Sequence, residues 1–309
     1  MLSPLVSIII PIFNVEKYIF EALNSILSQS HTNLEIICID DGSTDASLSI
    51  IYECKKRDDR IIILQNKTNV GIVASLNRGI DNARGDIIAR MDGDDISLVN
   101  RIESQLKYLY DNNLEFIGSP VIYITEDGNE FGSSAYYEIE EVKKHLRYKS
   151  TLGHPTWMLY KKIYHKLNRY EDVAPVEDYD FLVRAVKKGV RVGMMKSPIL
   201  KFRTQTNAGG TALINGLVQR KMFNYVKSIH EGNVRYDKKI VKKIRTPSFV
   251  VKKFFYISQI TYTKAMRKKH QGCYSFFVFY LIFAMLLSPY QLQFIFRNIM
   301  VKLLSYKGR

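Results

Sequence analysis

Asp92, Asp94 and Asp95 stand within four consecutive positions, in the run Ala89-Arg90-Met91-Asp92-Gly93-Asp94-Asp95, directly after an apolar segment. Carboxylates packed so closely repel one another, and a fold gains nothing from gathering them uncompensated. A divalent cation is the usual remedy, and oxygen ligands suit magnesium or manganese. Such an ion commonly neutralises a diphosphate. A solvated acidic turn explains an isolated DxDD equally well. What favours chemistry is a second acidic turn upstream, Ile39-Asp40-Asp41-Gly42-Ser43-Thr44-Asp45, also placed where a strand should end. A third group, Glu177-Asp178-Tyr179-Asp180, opens a predicted helix, where carboxylates are also favoured by the helix dipole alone.

The elements that must hold these residues follow from apolar periodicity. Residues 5–12 (LVSIIIPI) form a short β-branched run ending near Pro11, which predicts a buried strand. Ile19, Leu23, Ile26 and Leu27 are spaced for a helix over 17–28. Further strands are expected at 34–39, 61–64 and 86–91, and helices at 45–57, 73–83 and 99–112. Strand and helix alternate, as they do in a parallel sheet covered by helices. Ligands of such sheets lie beyond the carboxyl ends of the strands. Asp40 and Asp41, and Asp92, Asp94 and Asp95, both fall at such ends. Two acidic clusters on one rim can converge on one ligand.

Past residue 112 the pattern loosens. One strand is expected over 116–125, with a turn at Glu126-Asp127-Gly128-Asn129 leading back. Helices at 138–149 and 178–188, strands at 157–160, 190–195 and 199–202, and a longer helix over 211–230 complete the reading. The division predicted is an α/β domain over 1–210, with a nucleotide-binding half to about 112 and an acceptor half over 113–210, followed by a helical region over 211–309.

Charge separates the same two parts. The net charge is +15, yet residues 1–210 hold 26 Lys and Arg against 28 Asp and Glu. Residues 211–309 hold 19 Lys and Arg against only Glu231 and Asp237. The second part is therefore a cationic tail that should seek an anionic partner. It is also rich in Phe, Tyr, Leu and Ile, which favours membrane lipid over nucleic acid. No charged residue occurs over 271–296, but Ser288-Pro289, Gln291 and Gln293 interrupt the apolar run, and a spanning helix needs about 20 apolar residues. An interfacial or re-entrant hairpin is expected, with a true span, or packing on the domain or on a second subunit, as alternatives. Three cysteines, Cys38, Cys54 and Cys273, make an odd number with no metal-type spacing. They argue against a disulfide framework and fit a reducing compartment. Met1-Leu2-Ser3-Pro4 has no basic run ahead of an apolar core, so no secretory signal is expected.

Taken in order, Ser7-Ile8-Ile9-Ile10-Pro11-Ile12-Phe13-Asn14, Ile39-Asp40-Asp41-Gly42-Ser43-Thr44-Asp45, Asn69-Val70-Gly71 with Asn77, Asp92-Gly93-Asp94-Asp95 and Glu177-Asp178-Tyr179-Asp180 resemble the family 2 glycosyltransferases of GT-A fold. Each motif alone is weak; the five in sequence, across about residues 5–205, are specific. The resemblance implies a Rossmann-like, mainly parallel sheet flanked by helices. It also implies roles. Pro11 and Phe13 would edge the nucleobase pocket, and Asp41 would accept from the uracil imide, unless it merely caps the helix that follows. Gly71 would let backbone approach the nucleotide, or serve as a plain turn. Arg78 would reach the donor phosphates, or be a solvated helix residue. Asp92 would bind ribose or donor sugar, Asp94 would ligate manganese or magnesium, and Asp95 would support it from behind. Asp178 would be the general base, with Glu177 and Asp180 as alternatives. His154, Trp157 and Glu177 would meet the acceptor, although His154 and Trp157 also read as core residues. Where relatives often carry Arg-x-His after the last strand, this chain has Arg203-Thr204-Gln205. Gln205 is a poorer metal ligand than that histidine.

The activity so implied is metal-dependent, inverting transfer of a hexose or N-acetylhexosamine, galactose first, from a UDP-sugar. The acceptor would be a polyprenyl-diphosphate-linked saccharide at the cytoplasmic face of a bacterial inner membrane. O-antigen, capsule or exopolysaccharide synthesis is the expected setting, with an anionic membrane surface as partner and no nucleic acid. A sugar-nucleotide nucleotidyltransferase would need a Gly-rich, basic loop after the first strand, and Phe13-Asn14-Val15-Glu16 is neither. A non-enzymatic membrane or nucleic-acid adaptor would leave the ordered acidic motifs unexplained.

Overall fold

The computed structural model describes residues 3–204 and 210–306. Of these, one compact unit holds the residues up to Lys144, Ser150–Asp172, and those from Asp180 to Thr204. A second holds His145–Lys149, Val173–Tyr179 and the residues from Gly210 onward. Two short mid-chain stretches thus belong to the second unit, a division absent from the chain-order reading.

The first unit begins with the expected alternation. It runs β1 (Val6–Ile12), α1 (Ile19–Leu27), β2 (Leu34–Asp40), α2 (Ser47–Lys55), β3 (Ile61–Gln65), α3 (Ile72–Asn82) and β4 (Ile87–Arg90). All seven residues of β1 are buried, because it is an interior strand with helices to cover it. Ile8, Ile9 and Ile10 are 0–1 % exposed, and burying each contributes roughly 1.5–3 kcal/mol. Pro11 lacks an N–H, but the β1–β4 pairing ends at Ile9 and Arg90, so no bond to β4 is lost. A two-residue β5 (Ile96–Ser97) and α4 (Arg101–Asp111) follow.

The single strand expected over 116–125 is two strands. β6 (Phe116–Gly118) joins the main sheet, and β7 (Ile122–Ile124) joins a smaller one. Ser119-Pro120 separates them, and a proline cannot donate to a ladder. Then come β8 (Glu130–Ser133), α5 (Ile139–His145), a 3-10 turn (His154–Thr156), β9 (Met158–Tyr160), α6 (Lys161–Lys166), α7 (Glu177–Lys187), β10 (Val192–Met194) and β11 (Leu200–Arg203). The main sheet has the order β10-β6-β9-β4-β1-β2-β3. It is parallel except for β9, which runs antiparallel to both β4 and β6. The smaller sheet has the order β5-β11-β7-β8. This is the α/β, Rossmann-like, mainly parallel sheet flanked by helices that the sequence predicts. β2 lies on one side of β1 and β4 on the other, so the strand order reverses at β1. A crevice for ligand is expected at the carboxyl ends beside such a reversal.

The second unit is helical: α8 (Gly210–His230), α9 (Lys238–Arg245), α10 (Phe249–His270), α11 (Tyr274–Leu287) and α12 (Pro289–Tyr306). Small residues Ser258, Ala265 and Ala284 are fully buried, which lets α10 and α11 approach closely. Arg220 of α8 donates to Gln291 of α12 and lies over the rings of Phe255 and Phe294. Burial pushes its guanidinium down to about 10. Among the described residues, no helix is long and apolar enough to cross a membrane.

Candidate functional site

The loops after β1, β2, β3 and β4 emerge on one rim, and a cavity of about 310 Å³ opens there. Pro11, Phe13, Asp41, Gly71, Asp92 and Asp94 all line it. Ile12, Val15, Asn69, Ile72, Ser75 and Gly93 complete the wall. Two acidic turns about fifty positions apart thus share one cavity because parallel strands deliver their carboxyl ends side by side.

The Asp41 half is built by hydrogen bonds to main-chain N–H groups. The Oδ1 atom of Asp41 accepts from Val70 N at 2.9 Å and Asn66 Nδ2 at 2.8 Å, and Oδ2 accepts from Gly71 N at 2.9 Å. Its carboxylate therefore anchors the loop after β3 and does not cap α2. The cap contact near α2 falls to Asp45, whose Oδ1 accepts from Ser47 N at 2.9 Å. Asp45 Oδ2 also accepts from Glu16 N at 3.0 Å, while Asn14 Oδ1 accepts from Thr44 N at 2.8 Å. These reciprocal bonds tie the β1 loop to the β2 loop and fix the floor beneath Phe13. Two glycines make the shape possible. Gly42 has φ +71°, and a Cβ there would stand 2.7 Å from the carbonyl carbon of Thr68. Gly71 has φ +90°, a conformation that L side chains rarely adopt, and nothing lies within 4 Å of where its Cβ would be. Phe13 is 45 % exposed, a ring left available at the cavity edge.

The DxDD half carries charge instead of tying it up. Asp92 is clasped by both terminal nitrogens of Arg90, one at 2.7 Å. Burial opposes the Arg90 charge, but Asp92 keeps that guanidinium above its ordinary range. Asp94 faces the cavity, and burial followed by the charge of Asp92 pushes its carboxyl up to about 6. Asp95 is 1 % exposed, and burial with the charges of Asp92 and Asp94 raises it further. It does not line the cavity. Its Oδ1 accepts from Arg203 N at 3.0 Å, and its Oδ2 has no partner among the described residues.

Arg203 is the residue whose place the sequence did not disclose. Its side chain is 2 % exposed and lies over the Tyr18 ring. Nε donates to Asp94 O at 2.9 Å, Nη1 to Glu126 O at 2.6 Å, and Nη2 to Glu21 Oε2 at 2.6 Å. One buried guanidinium thus pins the acidic loop to the β7–β8 turn and to α1. Arg101 adds support from behind, donating from Nη2 to Arg90 O at 2.6 Å and to Pro155 O at 2.9 Å.

The remaining candidates are not among the residues that line the cavity. Arg78 donates from Nη1 to Gln65 O at 2.8 Å and also to Asn66 Oδ1. It braces the asparagine that holds Asp41 and is not on the cavity wall. Trp157 is fully buried among Phe116, Tyr170 and Phe181, which leaves no indole face for a sugar. His154 Nε2 pairs with the Tyr170 hydroxyl at 2.8 Å. Burial and the nearby Arg90 charge hold its ring well below the ordinary histidine range, hence neutral. Glu177 and Asp178 open α7 and belong to the second unit. Asp180 belongs to the first and receives Arg184 Nε at 2.7 Å. Gln205 lies outside the described residues.

No group of three or more His, Cys, Asp or Glu side chains is gathered for a metal among the described residues. The acidic loop nevertheless suits a hard cation completed by ligand oxygens. Asp94 supplies a cavity-facing carboxylate held up by burial and then by the charge of Asp92, and Asp95 Oδ2 is buried without a partner among the described residues.

A family model described as "Glycosyl transferase family 2" matches residues 7–167. An uncharacterized glycosyltransferase of Methanocaldococcus jannaschii is 32 % identical over 229 residues, 72 % of this chain and 78 % of that protein. The O-antigen biosynthesis glycosyltransferase WbnJ of Escherichia coli is 28 % identical over 207 residues, 64 % of this chain and 79 % of that protein. Among solved structures, S. aureus TarS 1-349 in complex with UDP-GlcNAc superposes with a TM-score of 0.61 at 16 % identity, covering 98 % of this chain and 92 % of that one. The mannosyltransferase PcManGT of Pyrobaculum calidifontis, in complex with GDP-Man and Mn2+, also gives 0.61, at 13 % identity, covering 98 % and 86 %. These structural likenesses establish the shared fold.

Proposed function

The chain belongs to glycosyl transferase family 2, and on that premise we propose that it moves a hexose or N-acetylhexosamine, galactose first, from a UDP-sugar to a lipid-linked saccharide with inversion. The setting we propose is O-antigen, capsule or exopolysaccharide assembly at the cytoplasmic face of a bacterial inner membrane, a setting suggested by the relative named for O-antigen biosynthesis. The reading rests most on one observation: Asp41 and Asp94 line the same cavity. In it the base lies between Pro11 and Phe13 and donates an N–H to Asp41. Asp92, held rigid by Arg90, takes hydroxyls of ribose or donor sugar. Asp94 would hold manganese or magnesium, with Asp95 behind it, and that ion would supply Lewis-acid stabilisation of the charge on the departing UDP.

Asp178 takes the proton from the acceptor hydroxyl while the acceptor oxygen forms a bond to the anomeric carbon. The bond from that carbon to the UDP oxygen breaks on the opposite side, so an α-linked donor gives a β-glycoside. A neutral His154, tied to Tyr170, is no rival for this proton.

A carboxylate accepts from a guanine N–H as readily as from uracil, and one structural neighbour carries GDP-Man. The donor assignment is therefore tested by nucleotide release, with manganese present, from UDP-galactose, UDP-glucose, UDP-GlcNAc and GDP-mannose. UDP should appear from at least one of them; release of GDP alone overturns the donor class. Asp178→Asn should bind UDP like the parent and lose transfer by about 100- to 10,000-fold. Retained transfer would remove Asp178 as the base.

A further inference from the structure

The second unit carries a concentration of exposed apolar side chains that a water-soluble surface does not tolerate without reason. Phe276, Phe279, Phe283 and Leu286 of α11 are 59 %, 63 %, 46 % and 80 % exposed. Their spacing of three, four and three places them on one side of that helix. Leu292, Phe296, Ile299 and Leu303 of α12 are 49–57 % exposed, again at spacings of four, three and four. Eight half-exposed large side chains amount to roughly 800 Å² of apolar surface. Folded monomers seldom show a patch beyond about 300–600 Å².

Three features select the occupant. The first is length: α11 has 14 residues, about 21 Å of helix, against about 30 Å of hydrocarbon. It can enter a bilayer but not cross it. The second is charge. No charged residue interrupts 271–296, whereas α10 presents Lys253, Lys264 and Arg267, all exposed, in line with exposed Tyr256 and Ile260. Cations interleaved with an aromatic ring suit the headgroup layer of an anionic membrane. The third is compensation: residues 211–309 contain only Glu231 and Asp237 to answer 19 cations. A second copy of this chain would bring the same cations and would be repelled.

We propose that α11 and the outer stripe of α12 form a monotopic insertion surface, sunk into one leaflet of an anionic bilayer and ringed by the α10 cations. It takes up the location proposed above, but its test reads binding and not transfer, so either can fail without the other.

The test is flotation of the full chain with vesicles of phosphatidylcholine, with and without phosphatidylglycerol. Binding should need the anionic lipid. Phe279→Glu with Phe283→Glu should lower the bound fraction at least tenfold, and Phe279→Leu should restore it. Cys273 is the one exposed cysteine of the three and starts α11, so a polarity-sensitive dye attached there should shift to the blue on binding. That reading needs no variant and stands if the glutamate chains fail to fold. Equal binding to neutral vesicles, no shift of the dye, or unchanged binding of the glutamate variant overturns the proposal. So does a dimer in light scattering that Phe279→Glu dissolves while vesicle binding persists, because the surface then belongs to a second copy.

Discussion

The turn after β2 and the turn after β4 are both acidic, both stand at the carboxyl end of a parallel strand, and both line one cavity. They treat their carboxylates in opposite ways. In the first, Asp41 collects Asn66, Val70 and Gly71, and Asp45 collects Glu16 and Ser47. Burial opposes the Asp45 charge, but these donors outweigh it and hold the carboxyl below its ordinary value. In the second, the Arg90 side chain donates its hydrogen bonds to Asp92, and burial with mutual repulsion drives Asp94 up to about 6 and Asp95 in the same direction. The first turn is finished as protein. The second is left with a repulsion that added positive charge would relieve. Acidic composition alone does not distinguish a clasp from a cation site; the supply of N–H donors does.

The sharpest way to break this contrast is Asp94→Ala. If Asp94 is the open carboxylate, manganese-dependent UDP release should fall about 100- to 1,000-fold, the usual cost of losing a principal electrostatic stabiliser. Thermal stability should hold or rise, since a repelling charge has gone. Manganese should raise the melting temperature of the parent by mass action and leave the variant unmoved. Release within threefold of the parent would return the DxDD turn to the status of a solvated loop.

The contrast was half legible in the sequence. Both turns were readable because the apolar runs LEIICID and IIAR, followed by Asp and Gly, mark where buried strands end. That they share a cavity followed from parallel topology, itself implied by strand–helix alternation. The partners were not readable. Nothing local links Arg203 to Asp94, 109 positions away, and Arg78 on a helix face gives no sign that it will brace Asn66. Trp157 could not be assigned, because a lone indole suits a sugar or a core, and Phe116, Tyr170 and Phe181 meet it only in three dimensions. The break between β6 and β7 has no mark in the apolar pattern, which continues on both sides of Pro120.

Arg203→Ala probes what holds the open turn in place. It removes donors from the carbonyls of Asp94 and Glu126 and from the Glu21 carboxylate. A loss of about 3 kcal/mol in the stability of the first unit is expected, because the carbonyls of Asp94 and Glu126 lose a charged donor, measured by urea unfolding. Manganese-induced stabilisation should fall with it. Asp41→Asn probes the finished turn and should do less. An amide keeps one acceptor oxygen, so at least one of the three donors is left without a partner, at about 1–2 kcal/mol. UDP binding should weaken without loss of the manganese response. If Asp41→Asn abolishes that response, the two turns are one electrostatic unit and the contrast fails.

The smallest effect tests the general rule on a third carboxylate, far from the cavity. Glu35 is 1 % exposed. Burial pushes its carboxyl up, but donors outweigh it: the Ser7 hydroxyl, Arg84 through both main chain and Nε, and Gly85 N. The result is a value below the ordinary 4.5. A carboxyl depressed by folding binds protons more weakly than in the unfolded chain. Its stabilisation is therefore complete above the unfolded value and is lost as pH falls through the folded one. Below about pH 4.5 the melting temperature of the parent should thus decline, and Glu35→Gln should start lower and decline less. The raised Asp94 and Asp95 predict the reverse sign, because acid relieves their repulsion. Asp94→Ala should therefore lose a stabilising effect of mild acid that Glu35→Gln retains. Parallel pH curves for the two variants would mean that donor supply is not what separates the two kinds of turn.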